Sequence, residues 1–225
     1  MRKSLLSVVV LMLVAAIGVG NAQSLKEQQK ERQELAQASK SELSKKASKE
    51  ARKEAKRLKK EGWTTAPGAL PLDKQLDKSY LMQYQYDSDG FPMFIMAEGM
   101  SVGGNYDAAK MQALELAKQN LAGQIQTEIT ALIENTVANE QMDQSDATSI
   151  TRSVMASKNL ISQSIGRVIP IVETYRRTNG NNREVLVRIA YSQKMAKAAA
   201  KRAVKKKLEE RGETLHDELD QLLGF

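Results

Sequence analysis

Few residues in this chain have the types and spacing to do chemistry. Gly103-Gly104-Asn105 could cradle an anion, because a helix start after small residues leaves outward N–H groups where the helix dipole is positive. The stretch lacks the spacing of nucleotide loops and the Lys-Ser/Thr pair that accompanies them. A strand-to-helix turn needing unusual glycine backbone angles explains the same residues. Carboxylate pairs occur at Asp87/Asp89, Glu209/Glu210 and Asp217/Glu218. They fall in a turn or on polar helix faces, where spacing does not aim two acids at one cleft, so paired acid–base chemistry on a glycosidic bond is disfavoured. Asp87-Ser88-Asp89-Gly90 opens like a calcium loop, but Phe91-Pro92 follows where ligands are needed. Ser157-Lys158 sets a hydroxyl beside an amine, yet sequence neighbours on a helix point to different faces. Met93, Met96, Met100 and Met111 gather around one strand and helix with no Cys or His nearby, and read as core filler rather than a copper site.

Composition narrows the field further. The 225 residues include 34 Lys plus Arg, 27 Asp plus Glu, one His, one Trp and no Cys. Disulfides, thiolate metal sites, cysteine nucleophiles and a lipid-modified N-terminal cysteine are all excluded. His216 is the one imidazole a Ser-His-Asp triad could use, and it sits in a charged C-terminal stretch where it reads as a surface residue. Aromatic residues are scarce at 4%, so platforms for stacking nucleic-acid bases are not expected. No cofactor and no metal is implied.

The N-terminus carries an address. Arg2 and Lys3 precede an apolar run, Leu5–Val19, and Gly20-Asn21-Ala22 supplies the small residues of a cleavage site. Residues 1–22 therefore read as a secretory signal peptide, with the run too short for the ~20 residues that span a bilayer. No later segment is apolar and long enough to cross a membrane. Export makes nucleic acid the poorest partner and leaves an envelope protein, a second copy, anionic lipid headgroups or cell-wall glycan as the expected ones.

Charge is uneven along the exported part. Ser24–Gly62 has 13 basic and 7 acidic residues, Trp63–Tyr191 has 11 and 14, Ser192–Gly212 has 8 and 2, and the tail from Glu213 has four acids and no Lys or Arg. A solvated helix face is the ordinary reading of such runs, and attraction to an anionic partner is the functional one. The residues that would carry it are Arg52, Lys53, Lys56, Arg57, Lys59 and Lys60 in the first run, and Lys201, Arg202, Lys205 and Lys206 in the second. Trp63, at the boundary, would either anchor a partner or pack on its own domain.

The elements that must position these residues follow from periodicity. Residues 23–62 read as a long basic helical extension, rich in helix formers, with a thin seam at Leu35, Leu43, Ala47, Ala51, Ala55 and Leu58. Residues 63–90 hold a linker and a short helix, Pro71–Gln85, and the Asp87–Gly90 turn. Residues 91–191 form an α+β sheet domain. It comprises a strand (Met93–Val102), a long helix capped by Asn105, and a second helix (Ser145–Ser164). Two strands (Arg167–Arg177 and Arg183–Tyr191) follow, joined by an Asn-Gly hairpin loop. The long helix shows an inward stripe at Leu114, Ala117, Leu121, Ile125, Ile129 and Leu132, with Ala108, Ala109, Ala113 and Gly123 permitting close approach. Val185, Val187, Ile189 and Tyr191 alternate, giving the last strand one buried face, and Pro170 places its strand at an edge or bulge. Residues 192–225 make a basic helix and an acidic amphipathic tail. The expected fold is a three-stranded antiparallel sheet in β-α-α-β-β-α order with helices on one face.

Phe91–Ser101 followed by Asp107–Gln124, with its Leu121-Ala122 step, resembles the opening of the twenty-kilodalton surface-lipoprotein (LPP-twenty) family and the N-terminal domain of the flagellar assembly T protein. Ser164–Tyr191 is similar to the second half of that family, and Gly62–Gly224 resembles an exported protein type of Bacteroidales. The resemblance implies a non-enzymatic envelope module. Lipoprotein members need a lipidated Cys, which this chain lacks, so outer-membrane association would run through a partner or a charged helix. The expectation is an exported interaction scaffold or accessory subunit of a periplasmic or outer-membrane-associated assembly. The alternative is a module binding a small ligand or cell-wall polymer in the groove between sheet and long helix. Convergent polar groups there, in place of close-packed Ala and Leu, would favour the alternative.

Overall fold

A computed structural model describes residue 30 and residues 45–224, apart from 89, 140, 167, 169 and 179. The signal-peptide residues and most of the extension before residue 45 lie outside the described residues. The chain divides into Met1–Lys46 and Ala47–Phe225, and every element named here belongs to the second unit. The order is α1 (Lys49–Lys60), α2 (Leu72–Gln83), β1 (Phe94–Gly103), α3 (Tyr106–Ala138), α4 (Gln144–Ala156), α5 (Lys158–Ser164), β2 (Pro170–Arg177), β3 (Arg183–Ser192), α6 (Gln193–Glu210) and α7 (His216–Leu223). The class is α+β, and the order of strands and helices roughly fits the expected one, with three helices between β1 and β2 in place of two.

Two helix boundaries differ from propensity. The extension is not one helix to Gly62, because residues 45–48 are non-helical and α1 starts afresh. Ser48 accepts from the Ala51 N–H at 3.3 Å, and its own N–H donates to Asp77 Oδ1 at 3.0 Å, so capping and a tertiary bond override helix propensity there. The helix expected over Ser145–Ser164 is split at Ser157, whose hydroxyl donates to the Val154 carbonyl at 2.7 Å. The acidic tail does form a helix, and its Leu219 and Leu223 are buried while Leu222 is only half-buried.

The sheet has the order β1-β3-β2, both pairs antiparallel. Its register shifts between Pro170 and Val172, where a residue without an N–H interrupts the ladder at the sheet edge. Val185, Val187, Ile189 and Tyr191 enter the main core with Ile95 and Ala97, as the alternation predicts. α3 lies over that face, and two strand glycines set how close it comes. A Cβ on Gly99 would stand 2.0 Å from the Ala113 carbonyl oxygen and 2.5 Å from the Ala117 nitrogen. One on Gly103 would stand 3.0 Å from the Ala109 nitrogen. Ala109, Ala113 and Ala117 recur every fourth residue and are fully buried. Close approach therefore comes from strand glycines against Ala109, Ala113 and Ala117, whereas Ala108 is exposed and Gly123 faces Lys158.

Helices cover both faces of the sheet, where one was expected. A small second core joins Ala47, Ala51 and Ala55 to Leu72, Leu76 and Val172, with Leu58, Tyr80 and Leu186 packed against it. The alanine seam is too weakly apolar to fold as a helix alone, but α2 and the outer face of β2 and β3 complete it. Arg188 fastens this layer by donating to Ser79 Oγ at 2.7 Å while pairing with Glu98. On the other side, α6 joins the main core through Ala196, Ala200, Ala203, Val204 and Leu208. The two basic helices thus serve different cores.

Candidate functional site

The residues singled out for chemistry are placed in structural work. Asn105 caps α3, its side-chain oxygen accepting from the Ala108 N–H at 2.9 Å, so one donor an anion would use is already taken. Neither Gly103 nor Gly104 has a positive φ, and it is the approach to Ala109 that requires glycine at 103. Ser157 is buried with its hydroxyl committed, while Lys158 is exposed, so the pair points apart. Asp87 accepts from the Phe91 N–H at 2.8 Å within its turn. Glu98, eleven residues further on, is in mid-strand and tied to Arg188, so the two do not fold around one cation. Glu210 pairs with Lys207 at 2.6 Å, and Glu209 lies 4.0 Å from His216, whose ring is half-buried. Among the described residues no group of three acidic, His or Cys side chains converges as a metal site.

A tyrosine network was missed by sequence reasoning. Tyr106 donates to Glu173 Oε1, Lys110 Nζ stands 2.8 Å from the same oxygen, and the Tyr106 and Tyr175 rings meet edge to face at 5.1 Å. Burial first, then the bond to Glu173, pushes the Tyr106 phenol well above its ordinary value. A phenol held protonated this way is a donor, not a base, so the cluster locks α3 to β2. Its sequence signal was weak: Tyr and Lys four apart on one helix, with the acid sixty-seven residues from the tyrosine.

The cationic residues divide sharply. Trp63 is 6% exposed, with the Arg176 guanidinium 4.6 Å above its ring, so it packs on its own domain and is no free anchor. Thr64, the next residue, pairs with Tyr175 at the sheet edge and holds it there. Arg52 donates to the Ala47 carbonyl at 3.1 Å, and Arg57 is held between Glu54 and Glu61. Lys201 and Lys205 grip Asp220 of α7 at 3.2 and 2.9 Å. Arg202 donates to the Ser164 carbonyl at 3.5 Å and Lys206 is exposed. Lys59 is exposed too. Lys49, Lys53, Lys56 and Lys60 remain as an exposed stripe on α1, opposite its buried alanines, with no ion pair among the described residues. Helical spacing puts these four within one narrow face about 16 Å long.

Two surfaces are left open. One is apolar: Leu81, Tyr84, Tyr86 and Phe91 are 63, 68, 52 and 66% exposed on the end of α2 and the turn after it. Met93, Met100 and Met111 are exposed as well, which corrects their reading as core filler; Met100 lies on the outer face of β1, outside the second core. The other is a groove of about 900 Å³ between β1 and α3, lined by Gln83, Met96, Glu98, Asn120, Gln124, Thr127, Glu128, Lys158 and Arg188 among others. Most of its lining side chains end in amides or charges, while apolar and polar atoms share its walls about equally. Comparison with family models, with curated proteins and with solved structures gives no match.

Proposed function

We propose that this chain is a non-enzymatic exported protein, an interaction scaffold or accessory subunit of a periplasmic or outer-membrane-associated assembly. The observation that carries the reading is the concentration of Leu81, Tyr84, Tyr86 and Phe91, all more than half exposed, within eleven residues of a chain poor in aromatics. Exposed apolar side chains scattered singly are ordinary, but a contiguous set marks a contact surface. The lysine stripe of α1 adds attraction to an anionic partner. The signal-peptide pattern and the resemblance to envelope modules supply the compartment. Association with a membrane then runs through a partner, anionic lipid or glycan, since no cysteine offers a lipid anchor.

Crosslinking in cells followed by sedimentation tests the reading, comparing the native chain with Tyr84→Ser/Phe91→Ser and with Gln at all four stripe lysines. A stoichiometric partner lost from the aromatic variant is expected. Only free monomer in every case would sink the proposal. Truncation before Trp63 is a poor test, because α1 completes the second core. The amides and charges lining the β1–α3 groove favour a second reading, a module for a small ligand or cell-wall polymer. Saturable binding of soluble peptidoglycan fragments, without a protein partner, would select it.

A further inference from the structure

The two edges of the sheet are finished differently. At β2, outward backbone groups are satisfied: the Glu173 N–H donates to Gln75 Oε1 at 2.7 Å, and Tyr175 exchanges two 2.8 Å bonds with Thr64. At β1, the other edge, an antiparallel ladder alternates residues that bond inward with residues that face away. The Glu98 carbonyl accepts from Asn120 Nδ2 at 2.7 Å, which turns Glu98 away from β3. Met96, Met100 and Val102 share its parity. The same register gives Arg188 its bonds to Val172, and so leaves Glu173 and Tyr175 facing out at β2, as observed. Among the described residues, no hydrogen-bond partner meets the outward groups of Met96, Met100 and Val102.

Long open edges are usually blunted, because they template another strand. Here the strand is ten residues long, its outward groups are met, among the described residues, by Asn120 at Glu98 alone, and the groove follows it at Met96–Glu98. The charges around the groove are nearly all answered: Arg188 by Glu98, and Glu128 by Gln193 Nε2 at 2.8 Å. Lys158 makes no ion pair among the described residues, and its Nζ stands 3.7 Å from where a Gly123 Cβ would be. Met100 and Val102, 52 and 50% exposed, offer apolar contact to alternate side chains of an incoming strand.

We propose that the β1 edge accepts an extended peptide strand of a partner protein, adding a fourth strand to the sheet, with an acidic group of that strand seated at Lys158. Main-chain bonds would give affinity and the lysine would give register and sign. The proposal rests on the scaffold reading and supplies its docking mode.

The probe is a fluorescent heptapeptide of alternating valine with threonine or glutamate, tested on the mature chain by anisotropy. A twin carries lysine for glutamate, and another is N-methylated at alternate residues so that it cannot pair. Binding of the acidic peptide alone is expected. Lys158→Glu should weaken it about tenfold or more, the worth of one charge-assisted contact. Met100→Pro removes an outward N–H while sparing the bonds to β3, and should weaken binding similarly. Should that variant misfold, hydrogen exchange on the native chain decides: the amides of Met96, Met100 and Val102 should exchange fast alone and slow with peptide bound. Equal binding of the N-methylated twin, indifference to Lys158→Glu, or no binding of any peptide overturns the proposal. So does protection of those amides in the protein alone, which would place a second copy on the edge if it fades on dilution, or the chain's own segment if it does not. A crosslinked partner that persists when all peptides fail leaves the scaffold reading standing and removes only the strand edge.

Discussion

Gly99→Ala tests the contact that sets the thickness of the domain. The added Cβ would lie 2.0 Å from the Ala113 oxygen and 2.5 Å from the Ala117 nitrogen, where real Cβ atoms stay beyond 3.0 Å. At least 1.0 Å of separation must be found, and both opposing atoms are helix backbone that no side-chain rotation relieves. α3 cannot tilt freely, because a Cβ at position 103 would already stand only 3.0 Å from the Ala109 nitrogen on one side and Leu121 is fully buried on the other. Overpacking of this kind costs about 1–3 kcal/mol, and more where the backbone must shift. The alanine recovers roughly 0.4–1 kcal/mol by restricting the unfolded chain. The net expectation is destabilisation of about 2 kcal/mol, or a melting point lower by roughly 4–8 °C. Urea titration followed by circular dichroism reads this directly. Gly104→Ala, with nothing within 4 Å of its Cβ and no positive φ, is the control and should be neutral. A Gly99→Ala midpoint indistinguishable from that control would refute the account of how α3 meets the sheet.

Further outcomes follow from other contacts. The hydrogen bond from Lys205, aided by Lys201, holds the Asp220 carboxyl below its ordinary 3.8. Its stabilisation is therefore present above that value and lost as pH falls through the lower folded one. Protection of α7 amides, taken relative to the intrinsic exchange rate at each pH, should fall on acidification in the native chain, and Asp220→Asn should show low protection already at neutral pH. Tyr106 carries the opposite sign: its raised phenol stabilises the fold below its ordinary 10.0 and loses that contribution as pH rises further. From about pH 10 upward, urea midpoints should fall less steeply in Tyr106→Phe than in the native chain. Ser48→Ala removes the cap of α1 and should cost about 1 kcal/mol by the same titration. A loss much below that would mean the bond from Ser48 N–H to Asp77 does the capping alone.

Local signals carried the main sheet. The alternation at Val185, Val187, Ile189 and Tyr191, the cap at Asn105 and the interruption at Pro170 are short-range features, and each acts where its residues stand. The second core was illegible because Ala47, Ala51 and Ala55 bury little surface each, and become a core only against Leu72, Leu76 and Val172. The break at Ser157 was hidden because its hydroxyl competes with the helix in a stretch that also holds Thr148, Ser149, Thr151, Ser153 and Ser162, and nothing local singles it out. Gly99 and Gly103 did carry a signal, glycines four apart in a strand beside alanines four apart in a helix. The open edge of β1 had none, since its contrast with β2 rests on Gln75 reaching Glu173 across 98 residues.

The glycine–alanine contact also bears on the order in which the chain can fold. Glu98 finds its partner Arg188 ninety residues away, whereas Gly99 meets Ala113 after fourteen. Closing the long loop is slow, and the short one is cheap in chain entropy. A chain emerging from its N-terminus would therefore hold β1 without its one strand neighbour for as long as β3 is unmade, the state in which strands aggregate. α3 can close over β1 in that interval without waiting for the hairpin, covering its apolar face from Ile95 to Gly103. The close approach that fixes the finished sheet is then also what shelters its first strand.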